Sequence, residues 1–160
     1  RGLGDVYKRQ EQDIQEKNIR IVFDNLTLSL MMEVNVEQFS KVLAGILKNS
    51  MYALLKKSET VTFSPEIFLG LKVNKDMLEI TIRDNGSGID ENIKDKIFAP
   101  FFTTKTTGEA AGVGLYLCRE IVQNHRGTIE VESKKGEYTQ FLITIPVYQP
   151  KTITPPKEEE

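Results

Sequence analysis

The chain has 160 residues, a net charge of −2 and 28% charged residues, which predicts one domain large enough to bury a hydrophobic core. It has no basic excess, and this argues against a nucleic-acid partner. No signal peptide is visible, and no apolar run reaches the ~20 residues of a transmembrane helix, so we expect no membrane contact by this chain. We expect a cytoplasmic location, which leaves open a parent protein that is anchored to a membrane. A single cysteine, Cys118, excludes an internal disulfide and favours a small buried side chain.

The two ends of the chain differ in composition from the middle. Residues 1–10 (RGLGDVYKRQ) show no period and resemble a translated sequencing-adapter tail, so we interpret them as a non-native or linker segment. Residues 149–160 hold three prolines and end in Lys-Glu-Glu-Glu, which predicts a disordered tail. The folded domain is therefore predicted to span residues 11–148.

Apolar periodicity predicts the secondary structure between these ends. Apolar residues alternate with polar ones, as in half-buried strands, over residues 18–23, 26–32, 66–73, 77–84, 128–132 and 139–146. Apolar residues recur at helical spacing over residues 36–57, 90–97 and 112–126. Residues 98–111 have no period and predict a long loop. Segregated strands and helices favour an α+β two-layer sandwich, a mixed sheet with about three helices packed on one face.

Polar residues and glycines mark the ends of these elements. Asn35 and Asp90 are suitable N-caps for the first two predicted helices. Gly127 is predicted to cap the C-terminus of the third helix. His125, the single histidine, is predicted to lie at the same helix end, where its interaction with the helix dipole is favourable.

The stretch Asp-Asn-Gly-Ser-Gly-Ile at residues 84–89 follows the predicted strand 77–84. An acidic residue at a strand end, followed by two glycines, lets the backbone pass close to a bound ligand. Asp-Asn-Gly is also an ordinary turn sequence. Both interpretations are open on this stretch alone.

Asn49 places an amide within an apolar helical stripe. Val42, Ile46, Asn49 and Ala53 are separated by steps of four, three and four residues, so they share one helix face. A buried amide without partners costs roughly 1–3 kcal/mol. Asn49 is therefore predicted either to bond a neighbouring loop or to bind Mg²⁺ through its side-chain oxygen.

A second glycine cluster, Gly-Val-Gly-Leu at residues 112–115, opens the third predicted helix. The N–H groups at a helix N-terminus suit phosphate. The glycine cluster follows the stretch PFFTTK at residues 100–105. Lys105 could reach a terminal phosphate or remain a solvated cation.

Four features follow one another along the chain: Asn49, the stretch at residues 84–89, PFFTTK and the second glycine cluster. In this order they resemble the ATP-binding catalytic domain of bacterial two-component sensor histidine kinases, within the superfamily of gyrase, heat-shock chaperone and mismatch-repair ATPases. The resemblance runs from about Glu16 to Pro146, and PFFTTK followed by GVGLYLCREIV points to the kinase branch. It implies the fold described above with a long ATP lid, and it implies ATP and Mg²⁺ as cofactors.

The resemblance also implies roles for single residues. Asn49 would bind the metal and, with Lys105, contribute to catalysis. Asp84 would accept a hydrogen bond from the adenine amino group. The implied nucleotide contacts are Asn49, Tyr52, Ala53, Asp84, Gly86, Gly88, Ile89, Ile97, Phe98, Thr104, Lys105, Gly112, Val113, Gly114, Leu115 and Thr139.

The resemblance implies transfer of the γ-phosphate to a histidine on a helical dimerisation and phosphoacceptor domain that is absent from this chain, with a response regulator downstream.

Two departures from the family pattern bear on catalysis. Ala110 replaces the first glycine of the second glycine cluster. Gly45 stands one turn before Asn49, where the hydrolysing ATPases carry a glutamate. These departures leave a degenerate nucleotide-binding or interaction module as an alternative. An anti-sigma-factor serine kinase is a further alternative, which PFFTTK disfavours.

Overall fold

The computed structural model describes residues 19–24, 36–100, 102 and 114–146. Within these ranges it holds strands β1 (Arg20–Asp24), β2 (Glu66–Asn74), β3 (Met77–Asp84), β4 (Thr128–Lys134) and β5 (Tyr138–Pro146) and helices α1 (Val36–Ser58) and α2 (Gly114–Asn124). The predicted α+β class with a mixed sheet is confirmed. The described residues form two α-helices, where about three were predicted.

The five strands form one sheet in the order β1-β2-β3-β5-β4. Strands β1 and β2 are parallel, and a parallel pair needs a crossover connection, which contains α1. The other neighbours are antiparallel. Strands β2 and β3 form a hairpin, and its turn places Lys75 in the left-handed region at φ 56°.

The hydrophobic core lies on one face of the sheet. Every second residue of β3 and β5 is buried, because successive side chains of a strand point to opposite faces. These inward rows pack with α1 and α2 residues such as Val42, Ile46 and Val122. Each row ends in a polar residue, Asp84 on β3 and Thr139 on β5, and the two are paired across the strands. The strand period thus brings two polar side chains to one end of an apolar core.

The two helices pack closely at Gly45. A Cβ built on Gly45 would lie 2.8 Å from Cys118 Sγ of α2, so a side chain there would displace the cysteine. The Cys118 thiol donates a hydrogen bond to the Val42 carbonyl at 3.5 Å. Burial raises the pKa of Cys118 to about 12. The predicted role of Cys118 as a small buried side chain is confirmed.

The predicted short helix over residues 90–97 is wrong. The segment consists of turns with one 3₁₀ turn, Lys94–Lys96. Its backbone bonds join residues three apart, Ile93 N–H to the Asp90 carbonyl at 3.0 Å and Lys96 N–H to the Ile93 carbonyl at 2.9 Å. Asp90 still caps the segment, since its Oδ1 accepts the Asn92 N–H at 3.1 Å. The turns serve to bury Ile97 and Phe98.

The predicted glycine cap of α2 is also wrong. The left-handed residue after the helix is Arg126, at φ 60°. The Arg126 N–H donates to the Gln123 carbonyl and the Gly127 N–H to the Val122 carbonyl, both at 2.9 Å, which is a Schellman ending. Gly127 is needed for another reason, since a Cβ there would collide with the Thr144 carbonyl oxygen of β5.

Several predictions fall outside the described residues. These are the strand over residues 26–32, the Asn35 cap, most of the loop 98–111, the first two residues of the helix 112–126, and both terminal segments. Among the helices described, none is long and apolar enough to cross a membrane.

Candidate functional site

Asp84 is the central buried charge-bearing group of the site. It is the last inward residue of β3 and is only 2% exposed. Its Oδ1 accepts the Gly86 N–H at 2.9 Å. Burial raises the pKa of Asp84 from 3.8 to about 6, although the Gly86 N–H, Ser50 and the positive charge of Lys57 lower it in part. The carboxyl group is therefore mostly ionised at neutral pH, and an ionised carboxylate is an acceptor only.

The glycine loop (residues 84–90) is docked against α1 on one side. A Cβ built on Gly86 would lie 2.7 Å from the carbonyl carbon of Ala53 and 2.8 Å from its Cβ. The Ser87 N–H donates to the Ala53 carbonyl at 3.1 Å. Lys57 Nζ donates to the Asn85 carbonyl at 2.8 Å. Ala53 and Gly86 are both small because two backbones meet at this point.

The other side of the glycine loop is docked on the β4–β5 turn (residues 134–138). Gly88 is left-handed, at φ 68°, and a Cβ there would collide with the Lys134 carbonyl oxygen. The Gly136 N–H donates to the Ser87 carbonyl at 2.6 Å. The glycine loop is thus held between the first helix and the last hairpin, which are distant in sequence.

Thr139 lies beside Asp84 on the same face of the sheet. The two residues are directly opposite in the β3–β5 register, and directly opposite residues share a face. Thr139 is 4% exposed. Its Oγ1 lies 3.0 Å from Ser133 Oγ, and Ser133 Oγ also accepts the Ile89 N–H at 2.8 Å. Ser133 was not among the predicted site residues, because only the register of β4 with β5 places it opposite Thr139.

Asn49 is half-buried on α1, one turn before Ala53. Its Nδ2 donates to the Gly45 carbonyl at 3.0 Å, so the amide is bonded to its own helix. This leaves Oδ1 as the atom that could face a cation. Across the described ranges, no group of three or more His, Cys, Asp or Glu side chains could hold a metal ion. One amide oxygen suits Mg²⁺ only if phosphate and water complete its shell.

Ser50 is a second residue that sequence reasoning missed. Its side chain is fully buried, and its presence lowers the pKa of Asp84. No hydrogen bond of acceptable geometry joins the two groups, and Ser50 Oγ has no hydrogen-bond partner among the described residues. An unsatisfied hydroxyl is costly in a core. A small polar residue beside Asn49 on an apolar helix face is the signal that could have identified it.

Apolar side chains surround these polar groups. Ile97 and Phe98 are buried, and Ile89 and Leu115 pack against the core. The Phe98 ring meets that of Phe141 edge to face, with centroids 6.3 Å apart. Because Phe141 is the next inward residue after Thr139, Phe98 fixes the end of the turn segment near the polar end of the sheet.

The start of α2 approaches α1 near Asn49. A Cβ built on Gly45 would lie 3.8 Å from the Gly114 carbonyl oxygen, and Asn49 bonds the carbonyl of the same Gly45. The predicted metal ligand and the beginning of the predicted phosphate-binding helix therefore lie against one stretch of α1. Gly114 itself is exposed, and a Cβ added to it would meet no atom of the described residues within 4 Å.

The structure thus places Asp84, Gly86, Gly88, Ile89 and Thr139 together at the end of β3, with Ala53 and Asn49 on the adjoining helix. Tyr52 lies half-buried on the same helix. Four predicted site residues fall outside the described ranges: Thr104, Lys105, Gly112 and Val113. Ala110 also falls outside them.

Residues 35–149 match the family described as histidine kinase-, DNA gyrase B- and HSP90-like ATPases. The chain is 29% identical to sensor histidine kinase AtsR of Burkholderia thailandensis over 98% of its length. It is 35% identical to sporulation kinase E of Bacillus subtilis over 70%. It spans 26% and 14% of the lengths of these two proteins. It also superposes on a nucleotide-free catalytic domain of histidine kinase ThkA with a TM-score of 0.74 and 30% identity, over 91% of this chain and 90% of that one.

The fold and the sequence match define an ATP-binding domain of the histidine-kinase type. The chain belongs to the family of histidine kinase-, DNA gyrase B- and HSP90-like ATPases.

Proposed function

We propose that this domain, over residues 11–148, binds Mg-ATP between α1 and the glycine loop and supplies the γ-phosphate to a histidine on a helical phosphoacceptor domain of a longer kinase. The observation that carries the proposal is Asp84, a buried carboxylate at a strand end, set beside Thr139 and next to two closely docked glycines. A fixed acceptor in a buried pocket selects a ligand that offers a matching donor, and the amino group of adenine is such a donor.

The phosphate end of the ligand would face Asn49 and the start of α2. The N–H groups of a helix N-terminus favour anions, and Gly114 offers no side chain that would prevent a phosphate from approaching. Asn49 would hold Mg²⁺ through Oδ1, since its Nδ2 is already bonded to Gly45. A bound Mg²⁺ would neutralise phosphate charge. We further propose that Lys105 contributes a positive charge near the terminal phosphate.

The chemistry would depend on positioning and on charge stabilisation more than on a protein base. Gly45 provides no carboxylate that could activate water one turn before Asn49. Its identity has a packing reason, the contact with Cys118. We therefore expect hydrolysis of ATP by this chain alone to stay near background.

Calorimetric titration tests the nucleotide assignment. With Mg²⁺ present, ATP and ADP should bind and GTP should not. Asp84→Asn should abolish binding, because the added N–H₂ group opposes the amino group of adenine, whereas the exposed control Asp95→Asn should bind as the wild type does. Equal binding of GTP and ATP by the wild type would overturn the assignment.

Phosphotransfer needs its own test, because the chain spans a fraction of the related kinases. Radiolabelled ATP should label the histidine of the longer kinase and should leave no acid-labile phosphate on this chain alone. His125 is engaged at the end of α2, where its Nδ1–H donates to the Ile121 carbonyl at 2.7 Å. Labelling of this chain that disappears in His125→Gln would contradict the proposed acceptor. In the cell, a response regulator would receive the phosphate.

A further inference from the structure

Ser133 connects three parts of the site through one oxygen atom. Its Oγ donates to the Tyr138 carbonyl at 2.7 Å, accepts the Ile89 N–H at 2.8 Å and lies 3.0 Å from Thr139 Oγ1. These partners belong to the β4–β5 turn, the glycine loop and the polar end of β5. Ser133 therefore joins the loop to the residue opposite Asp84.

The protons of this cluster can be assigned from its chemistry. A serine hydroxyl carries one proton and two acceptor lone pairs. The Tyr138 carbonyl can only accept, so it receives the Ser133 proton. The Ile89 N–H can only donate, so it occupies one lone pair. The remaining bond, between the two hydroxyl groups, must then be donated by Thr139 to Ser133.

This assignment fixes the hydrogen-bonding character of Thr139. Its proton points to Ser133, so its oxygen faces the neighbourhood of Asp84 with lone pairs. Asp84 is likewise an acceptor when ionised, and the two residues are direct partners between β3 and β5. The polar end of the sheet therefore presents acceptors on both strands.

We propose that Ser133 is a specificity-determining positioning residue, which takes the Thr139 proton and so makes this edge select a purine with an amino group over one with a carbonyl group. The proposal rests on the proposed function of the site. A 6-amino purine offers donors to both acceptors, whereas a 6-oxo purine places its own acceptor against them. Loss of Ser133 would release the Thr139 proton, which could then be donated to the carbonyl oxygen of a 6-oxo purine.

The test compares ATP with ITP, since the hypoxanthine base of ITP differs from adenine only in carrying a 6-oxo group and the ring proton that accompanies it. The measured quantity is the ratio of the ITP dissociation constant to the ATP dissociation constant. Ser133→Ala should lower this ratio by about 3- to 10-fold, as expected for one neutral hydrogen bond. Ser133→Thr keeps the hydroxyl and should restore the ratio.

The ratio separates specificity from structural damage. Ser133→Ala also removes the acceptor of the Ile89 N–H. The loss of this second bond should weaken the binding of ATP and ITP equally, so it does not contribute to the change in the ratio. In a Thr139→Val background, Ser133→Ala should no longer change the ratio, because there is no Thr139 proton to release. Thr139→Val alone should lower the ratio and Thr139→Ser should keep it, so the proposal stays testable even if Ser133→Ala does not fold.

Two results would overturn the inference in different ways. In the first, wild type prefers ATP, and the ratio of dissociation constants in Ser133→Ala or in Thr139→Val equals that of wild type. Ser133 then has only a structural role, and the proposed function is unaffected. If wild type binds ITP as well as ATP, or binds neither, the adenine assignment itself fails.

Discussion

Two glycine clusters that resemble each other along the chain differ in the structure. In the first, Gly86 and Gly88 each face a neighbouring backbone so closely that a Cβ would collide with it. In the second, the described member Gly114 has open space around its Cβ position. The folded protein itself requires the first pair. Gly114 meets no such steric limit among the described residues, and we expect a bound ligand to impose one.

The largest effect should come from Gly88→Ala. A left-handed alanine costs roughly 1–2 kcal/mol, and the collision with the Lys134 carbonyl should bring the loss of unfolding free energy to about 3–5 kcal/mol. The matched control is Gly136→Ala, since Gly136 is also left-handed, at φ 82°, but no atom of the described residues lies within 4 Å of its Cβ position. Its loss should be limited to about 1–2 kcal/mol. Urea unfolding measures both, and equal losses would contradict the steric distinction.

Asp84→Asn should affect ATP binding and the stability of the folded protein in opposite directions. The folded state binds the Asp84 proton more tightly than the unfolded state does, since burial raises its pKa from 3.8 to about 6. The free energy of unfolding of wild type therefore falls as pH rises through this interval. Above pH 6 the full cost of burying the ionised carboxylate is present. Asparagine removes it and still offers an oxygen to the Gly86 N–H.

We expect Asp84→Asn to be more stable than wild type by about 2–3 kcal/mol at pH 7.5 and equally stable near pH 3.5, while it loses ATP. In wild type, ATP affinity should fall as pH decreases through about 6, because the protonated carboxyl group is no longer a pure acceptor. Unfolding of both proteins at the two pH values checks the first expectation, and a variant that is less stable at pH 7.5 would contradict it.

Gly114→Ala should show the opposite behaviour to Gly88→Ala. The described residues leave room for the methyl group, and alanine is favoured over glycine in a helix by at most about 1 kcal/mol, so stability should be unchanged or slightly higher. ATP affinity should fall about tenfold, or about 1.4 kcal/mol, if phosphate approaches this backbone. Adenosine, which lacks phosphate, should bind with unchanged affinity. A loss of stability, or an equal loss for both ligands, would remove the contrast between the clusters.

The smallest effect should come from Ser50→Ala, beside the first cluster. Removal of a buried hydroxyl that has no partner among the described residues should leave stability unchanged or raise it by up to about 1 kcal/mol. Urea unfolding of the variant and of wild type at pH 7.5 measures this change. A destabilised variant would show that the hydroxyl is satisfied in solution.

Local sequence patterns were sufficient for most of the architecture. The strand alternation that predicts β3 also carries Asp84 to the core face, and the helical stripe places Asn49 next to the core. Local patterns failed at residues 90–97, where helical spacing of apolar residues is satisfied by successive turns that bury Ile97 and Phe98. They also failed at Gly127, whose contact is with β5 and not with its own helix.

The sequence by itself determined the class of fold, the acidic residue at the strand end and the presence of two glycine clusters, since each depends on neighbours along the chain. Only the tertiary structure decided which glycines are sterically required, that Ser50 lacks a partner among the described residues and that Ser133 meets Thr139 and Ile89. The physical reason is the separation along the chain of the residues that make contact. These properties arise from backbones and side chains that are far apart in the chain, as Ile89 and Ser133 are at a separation of 44 residues, and no local periodicity encodes such contacts.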